Sequence, residues 1–452
     1  MKKINLLITA MLFAGNCVMQ AQTENEVIVK DQRGQEEVIT LPEGMTLNID
    51  SLMSEYNAKT YLQPDTNCNY KDINPMFPKE VFIDRLKRLP NIMEMVYNNE
   101  VQACIDRYAG RFRRNVSYML GAANFYMPIF EQALEEYGVP LELKYLPVIE
   151  SSLNPRAVSR VGATGLWQFM LATGKQYGLE VNTLVDDRCD PIKASYAAAH
   201  YLKDLYRIYG DWNLVIAAYN CGPDNIAKAI HRSGGETDYW KIYPYLPKET
   251  RGYVPAFIAA NYIMNYYCEH NICPMITRLP VKTDTIMVNR DVHFEQIAAI
   301  CEVDVDVLRT LNPQYRRNIV NGYSKPSVLR LPQEAINLFI DNEDSVYNYR
   351  ADVLLNKRYE VAIPDDIPQV SRPTRSSVKG KSGRGSHGRN ARNAHKGRKG
   401  RNKGGSSKSV TVKSGQTLSE IARRNHTTVD KLKRLNGIKG SSIRAGKKLK
   451  VK

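Results

Sequence analysis

No stretch beyond residue 22 holds the ~20 consecutive apolar residues that a bilayer crossing requires, so no later segment is expected to span a membrane. Metal-ligand spacing is missing too. The run "CEHNIC", Cys268 to Cys273, pairs thiols with an imidazole, but no second cluster completes a zinc site. It reads as a helix end, and neither metal nor cofactor is expected. Cysteine does not pair evenly. Eight are present, and removal of the first 21 residues leaves an odd number, hence at least one free thiol, with no pairing readable from spacing. No aspartate separates Glu150 from Asp186, and residues 371–408 contain no acidic residue at all.

What is present divides the chain. "MKKINLLITAMLFAGNCVMQAQ" has the basic start, apolar run and small residues of an export signal, with the mature chain expected to begin near Gln22. Cys17, just after the apolar run, leaves a lipid anchor as the alternative. Residues 371–408 carry 13 Lys/Arg, and residues 409–452 carry 12 against 2 Asp/Glu; with Lys2 and Lys3 set aside, the total of +16 leaves residues 22–370 at −9. An acidic body therefore carries a basic tail. The Gly-, Ser- and Arg-rich segment 371–408 lacks apolar residues to offset its chain entropy and is expected to be a disordered tether.

A repeat flanks that tether. At an offset of 124, "FEQIAAICEVDVDVLRTLNP" aligns with "LSEIARRNHTTVDKLKRLNG", matching Ile297 to Ile421, Leu308 to Leu432 and Asn312 to Asn436. Short β-type runs precede and follow each copy, which predicts two small β-α-α-β units. From Lys79 to His270 apolar residues recur at helical spacing, broken by Gly and Pro, so this region is expected to be helical. The fold class is mainly α, with small α+β modules behind a helical domain. We expect an N-terminal arm over 22–90, a helical domain over 91–280, the first module over 281–335, a connector over 336–370, the tether over 371–408 and the second module over 409–452.

Within the helical region, "KYLPVIESSLNPRAVSRVGATGLWQFM" ends an apolar run on a lone carboxylate, Glu150. Leu141, Tyr145, Leu146 and Ile149 would share one face, and Asn154-Pro155 would stop the helix one turn later. A carboxyl so placed is partly out of water, which lifts its pKa from about 4.3 towards about 6, as a general acid at neutral pH requires. Three segments, the one above from Glu150, "AAYNCGP" (Ala217 to Pro223) and "ETRGYVPAFIAA" (Glu249 to Ala260), resemble in order and spacing the signatures of the lytic murein transglycosylases with a goose-lysozyme-like fold, and a C-terminal LysM makes the membrane-bound D type the nearest resemblance.

That resemblance implies an α-helical, lysozyme-like catalytic domain cleaving peptidoglycan glycan strands between MurNAc and GlcNAc. Glu150 would be the sole acid/base. Ser159, Gln168, Trp167, Tyr219, Asn220 and Tyr253 would meet substrate, and Tyr253 would also hydrogen-bond Glu150. The second module, "VTVKSGQTLSEIARRNHTTVDKLKRLNGI", resembles LysM, with Gly415, Thr417, Leu418 and Asn436 implied at its glycan site; the first lacks the Gly-x-Thr-Leu and is degenerate. One departure is Asp224, where the family usually has glycine; it is expected to cap the helix that follows.

Two other functions compete. A hydrolysing muramidase needs a second carboxylate to hold water, for which Asp186, Asp187 or Asp224 can be nominated. A wall-binding protein without catalysis would have no use for Glu150, Gln168 and Tyr219. Nucleic acid is not an expected partner of an exported chain, although the basic tail suits anionic envelope polymers.

The tail generates a first prediction. A flexible 38-residue tether has a root-mean-square reach of roughly 30 to 40 Å, which would hold a nearby catalytic domain at about millimolar effective concentration once LysM engages a strand. Truncation after Asp366 should lower co-sedimentation with sacculi and lysis of intact sacculi, while cleavage of short soluble glycans stays nearly unchanged. Added salt should weaken wall binding more for the full chain than for the truncated one; equal pelleting of both at low salt would contradict the tether.

Overall fold

A computed structural model describes residues 25–30, 34–54, 62–277, 279–280 and 282–356, and in the C-terminal module 409–411, 418, 421–422, 425, 427–436, 438 and 448–451. The expected export signal, with Cys17, and the expected tether lie outside the described residues.

The chain opens with an antiparallel hairpin, β1 (Glu26–Lys30) and β2 (Glu36–Thr40), and a tight turn at Gly44–Thr46. A short strand, β3 (Leu62–Gln63), follows. They pack on the body: Ile39, Leu41, Met45 and Leu62 are each at most 2% exposed and belong to the same core as the helices.

The helices come next: α1 (Lys79–Arg88), α2 (Asn99–Ala109), α3 (Arg113–Tyr137), α4 (Leu146–Ser151), α5 (Pro191–Tyr209), α6 (Trp212–Cys221), α7 (Pro223–Arg232) and α8 (Tyr253–Asn265). Their limits follow from capping chemistry. The side chains of Asn98, Asp190 and Asp211 accept amide hydrogens from the first turns of α2, α5 and α6, while Gly138 and Gly210 end α3 and α5 in the left-handed conformation. Helix α8 is apolar nearly all round, and every residue from Tyr253 to Met264 is buried. It is the central post of the body. Burial of each of its large apolar side chains contributes about 1.5–3 kcal/mol.

Strand β4 (Ile276–Thr277) returns to pair with β3, and a disulfide joins Cys68 to Cys273 beside that pairing. Of the pair in "CEHNIC", Cys273 is thus committed to a disulfide, and Cys268 is an exposed free thiol.

The first module comprises β5 (Thr283–Val288), β6 (Asp291–His293), α9 (Phe294–Cys301), α10 (Val305–Leu311), β7 (Ile319–Asn321) and β8 (Ser327–Pro332), with β5 paired to β8 and β6 to β7. Its core continues beyond residue 335, because Ile336 and Phe339 of α11 (Gln333–Asp341) and Val346 and Tyr347 of α12 (Glu343–Asn348) fill it. It also takes in Leu184 and Val185 from the helical body. Val185 pairs with Tyr315 as an isolated bridge, and Asp186 N–H donates to Gln314 O at 2.9 Å.

The C-terminal module, described by itself, pairs β9 (Ser409–Thr411) with β10 (Lys448–Lys450) beside α13 (Val429–Asn436). Its core includes Ile421, Leu432 and Leu449.

One buried ion cluster binds the first module to the body. Asp186, 2% exposed, meets Arg188 at 2.9 Å and Arg316 of the module. Burial pushes the Asp186 carboxyl up, but the two guanidinium partners outweigh it and hold the pKa below the usual value. Asp186→Asn should therefore destabilise the protein by about 3–5 kcal/mol at neutral pH, because it leaves Arg188 buried without its charge partner. The contribution is present above the unfolded pKa of about 3.9 and is lost as pH falls through the lower folded value. Urea unfolding of both proteins should show the gap at pH 7 and its closure below about pH 4.

Candidate active site

The end of α4 is shaped by its sequence. Leu141–Tyr145 winds as a 3-10 turn before the helix, which leaves Leu141 38% exposed and outside the apolar face expected for it. The helix then stops at Ser151, sooner than Asn154-Pro155 would require. Ser152 and Leu153 both take positive φ, 50° and 60°, and Ser151 Oγ donates to the Pro147 and Leu166 carbonyls. Side-chain bonds and a left-handed cap end it.

Glu150 consequently stands at the base of a cleft with room for about 460 Å³. Tyr253 Oη donates a hydrogen bond to Glu150 Oε1. Removal from water pushes the Glu150 carboxyl up to about 7, the Tyr253 bond pulls it down in part, and the charge of Glu43 adds to the rise. The carboxyl can thus both donate and accept a proton near neutrality.

The other expected residues divide. Ser159 and Gln168 line the cleft with Glu150. Ser159 Oγ accepts from Ala163 N–H at 3.0 Å, and Gln168, at φ 48°, donates to the carbonyls of Ala157 (3.1 Å) and Gly165 (2.8 Å). Tyr219 reaches the same centre electrostatically, its phenol raised by burial and by the Glu150 charge, while its hydroxyl donates to Trp167 O at 2.7 Å. Asn220 accepts from Thr250 Oγ1 at 2.9 Å.

Trp167 corrects an expectation. It is fully buried, its indole N–H donates to Ser195 Oγ at 2.9 Å, and Phe130 packs edge-on against it. Its ring faces core, so it supports the loop and stacks on no sugar. Asp224 does not cap α7 either. Gly222 occupies the cap and Asp224 lies in the first turn, where a negative charge favours the helix dipole.

In the C-terminal module, Leu418 is 4% exposed and packs in the core. Asn436 donates to Leu432 O and Lys450 O at 2.8 Å each and accepts from Lys450 N–H at 2.7 Å, so its amide ties helix to strand. Asn312 makes the same three bonds in the first module, to Leu308 O, Arg330 O and Arg330 N–H. Leu418 and Asn436 therefore serve structure where ligand contact was expected. Gly415 and Thr417 lie outside the described residues.

The nominated second carboxylates are elsewhere. Asp186 is consumed by arginines, Asp187 pairs with Lys193 at 3.0 Å, and none of Asp186, Asp187 and Asp224 lines the cleft. Among the described residues the acid that joins Glu150 there is Glu43, from a segment with no motif to mark it. Gly44, next to it, sits so close that an added Cβ would run into the backbone of Ile149 and Glu150. No group of His, Cys, Asp and Glu among the described residues is arranged to hold a metal.

The family described as Transglycosylase SLT domain matches residues 127–242, the LysM-like domain of lytic transglycosylase MltD matches residues 282–348, and the LysM domain matches residues 410–452. The chain is 26% identical over 353 residues to a membrane-bound lytic murein transglycosylase D of Escherichia coli, covering 75% of this chain and 67% of that protein. It is 31% identical over 124 residues to a soluble lytic murein transglycosylase of the same species, covering 26% of this chain and 19% of the relative. A crystal structure of a 70 kDa soluble lytic transglycosylase from Escherichia coli aligns with 26% identity and a TM-score of 0.28, over 33% of this chain and 25% of that one.

The Tyr253 bond predicts a direction. Its hydroxyl favours the ionised form of Glu150, so Tyr253→Phe should raise the Glu150 pKa above about 7. The alkaline limb of kcat/KM on a soluble glycan should move to higher pH. A limb that moves to lower pH would contradict the assigned bond.

Proposed function

We infer the reaction from one premise: the chain belongs to the lytic murein transglycosylases, with an SLT catalytic domain followed by two LysM-type modules. It is a peptidoglycan-cleaving lyase of the cell envelope. The reading proposed here is that Glu150, half-buried in the cleft with its carboxyl pushed up to about 7, carries both proton transfers. As acid it protonates the oxygen of the β-1,4 bond between MurNAc and GlcNAc. The N-acetyl group of the substrate stabilises the cationic sugar, and Glu150, now a base, takes the proton of the sugar's own 6-hydroxyl as that oxygen closes on the anomeric carbon. The product is a 1,6-anhydro-MurNAc end, and water is not consumed.

In this reading Tyr253 orients and partly ionises Glu150. Ser159 and Gln168 hold the sugar from the loop after α4, Tyr219 shapes the wall behind them, and Asn220 steadies the next turn through Thr250. The C-terminal LysM holds glycan strands near the catalytic body. A lipid on Cys17 would add a membrane anchor, and the basic tail would add attraction to anionic envelope polymers.

The observation that carries the reading is a half-buried acid in the cleft whose pKa its surroundings push up to about 7. Hydrolysis has one remaining candidate for a second carboxylate, Glu43, so the products decide. Purified protein acting on sacculi in ¹⁸O-water should release anhydro-muramoyl ends without label, as read by mass spectrometry of the muropeptides. Glu150→Gln should lower activity by about 10²–10⁴-fold or more. It should also melt higher than the wild type at pH 8, since the wild-type carboxyl loses stability as pH rises from its unfolded to its raised folded pKa. Labelled reducing ends would assign a muramidase, and a variant retaining a tenth of the activity would remove Glu150 from its role.

A further inference from the structure

The segment between β2 and the short helix Ile49–Ser54 lies outside the matched SLT region, yet it forms one wall of the cleft. Glu43, Thr46 and Asn48 stand on it, facing Arg156, Ser159 and Arg160 of the loop after α4. Its placement is tight. Leu41 and Met45 are 2% and 1% exposed in the core, the Ser152 hydroxyl donates to Gly44 O, Gly44 admits the strap against α4 with no room for a side chain, and Gly252 admits the Thr40 end of β2 in the same way. Glu43 therefore has a fixed backbone, while its side chain stays 45% exposed in the cleft mouth and meets Arg160 Nε at 3.4 Å.

We propose that Glu43 is a positioning residue for the reaction: carried on this strap, it pairs with Arg160 across the mouth of the cleft and sets a second negative charge beside Glu150. The proposal rests on the reading of Glu150 as the acid. The groups facing Glu150 are few enough to assign signs. Tyr253 from α8 donates to it and favours its charged form. Tyr219 from α6 is a phenol raised well above 10 by burial, hence neutral. Arg156 and Arg160 bring positive charge from the loop, and Glu43 opposes them from the strap. Arg160, itself 82% exposed, meets Glu43 across the cleft mouth. The negative charge of Glu43 disfavours ionisation of the more enclosed Glu150. The strap thereby favours the protonated, proton-donating form of Glu150.

The test is the alkaline limb of the kcat/KM profile on a soluble glycan, measured with the full chain. Glu43→Gln should move the limb to lower pH by roughly 0.3 to 0.8 unit at low ionic strength, and the shift should shrink in about 0.5 M salt. Arg160→Gln leaves the Glu43 charge without its counter-ion and should move the limb to higher pH. A purely structural role for the strap would lower activity at every pH and move neither limb. Thermal melts identify intact variants. A limb fixed within about 0.1 unit in either intact variant overturns the proposal, and if one variant fails to fold the other decides alone. Labelled reducing ends from the wild type would defeat the lyase reading and leave the limb shifts measurable, so the two failures are distinguishable.

Discussion

The withdrawal of one carboxyl group from water is the constraint on which the site depends. An ionised Glu150 inside the protein opposes folding, and most of the surroundings act to control that opposition. The Tyr253 bond limits it, and the cleft leaves a route for the proton to leave and return. The helix that delivers Glu150 is short because Ser152 and Leu153 take left-handed conformations; Ser151 before them is held by bonds to Pro147 and Leu166, and Ser152 by a bond to Gly44. Strain at Ser152 and Leu153 is thus tied to the placement of the acid.

Two distant segments complete this centre. The N-terminal strap packs its backbone on that of Glu150. From the other side, Arg188 donates to the carbonyls of Gly162 and Phe169, which brace the loop carrying Ser159 and Gln168, while its guanidinium is held by Asp186. Asp186 also holds Arg316 of the first module. The cleft floor and that module share one anion.

Much of this was legible in the sequence. Helical periodicity between Lys79 and His270, the 124-residue offset of the repeat and the lone Glu150 ending an apolar run each follow from local rules, and the structure agrees with them. What failed was everything decided by depth. Trp167 sits in a signature beside Gln168, but a left-handed Gln168 turns one side chain to the cleft and the next to the core, and no local pattern separates them. Asn312 and Asn436 are prominent in their repeat because an amide there bridges a helix and a strand. Glu43 carried no signal, since its neighbour in space lies more than a hundred residues away in the chain. Loss of the Gly-x-Thr-Leu from the first module is matched by a local replacement: His293 and Gln296 cap α9, and Gln296 reaches the carbonyls of Tyr347 and Tyr349.

The hydrophobic seam between Leu184, Val185 and the first module redraws the unit that can fold by itself. A fragment ending where the helical body ends, near residue 280, would bare two aliphatic side chains, strand Asp186 with one arginine fewer, and unpin the hairpin that leads into Arg188. Such a fragment would keep Glu150, Ser159 and Gln168 and lose the brace beneath the loop that carries the last two.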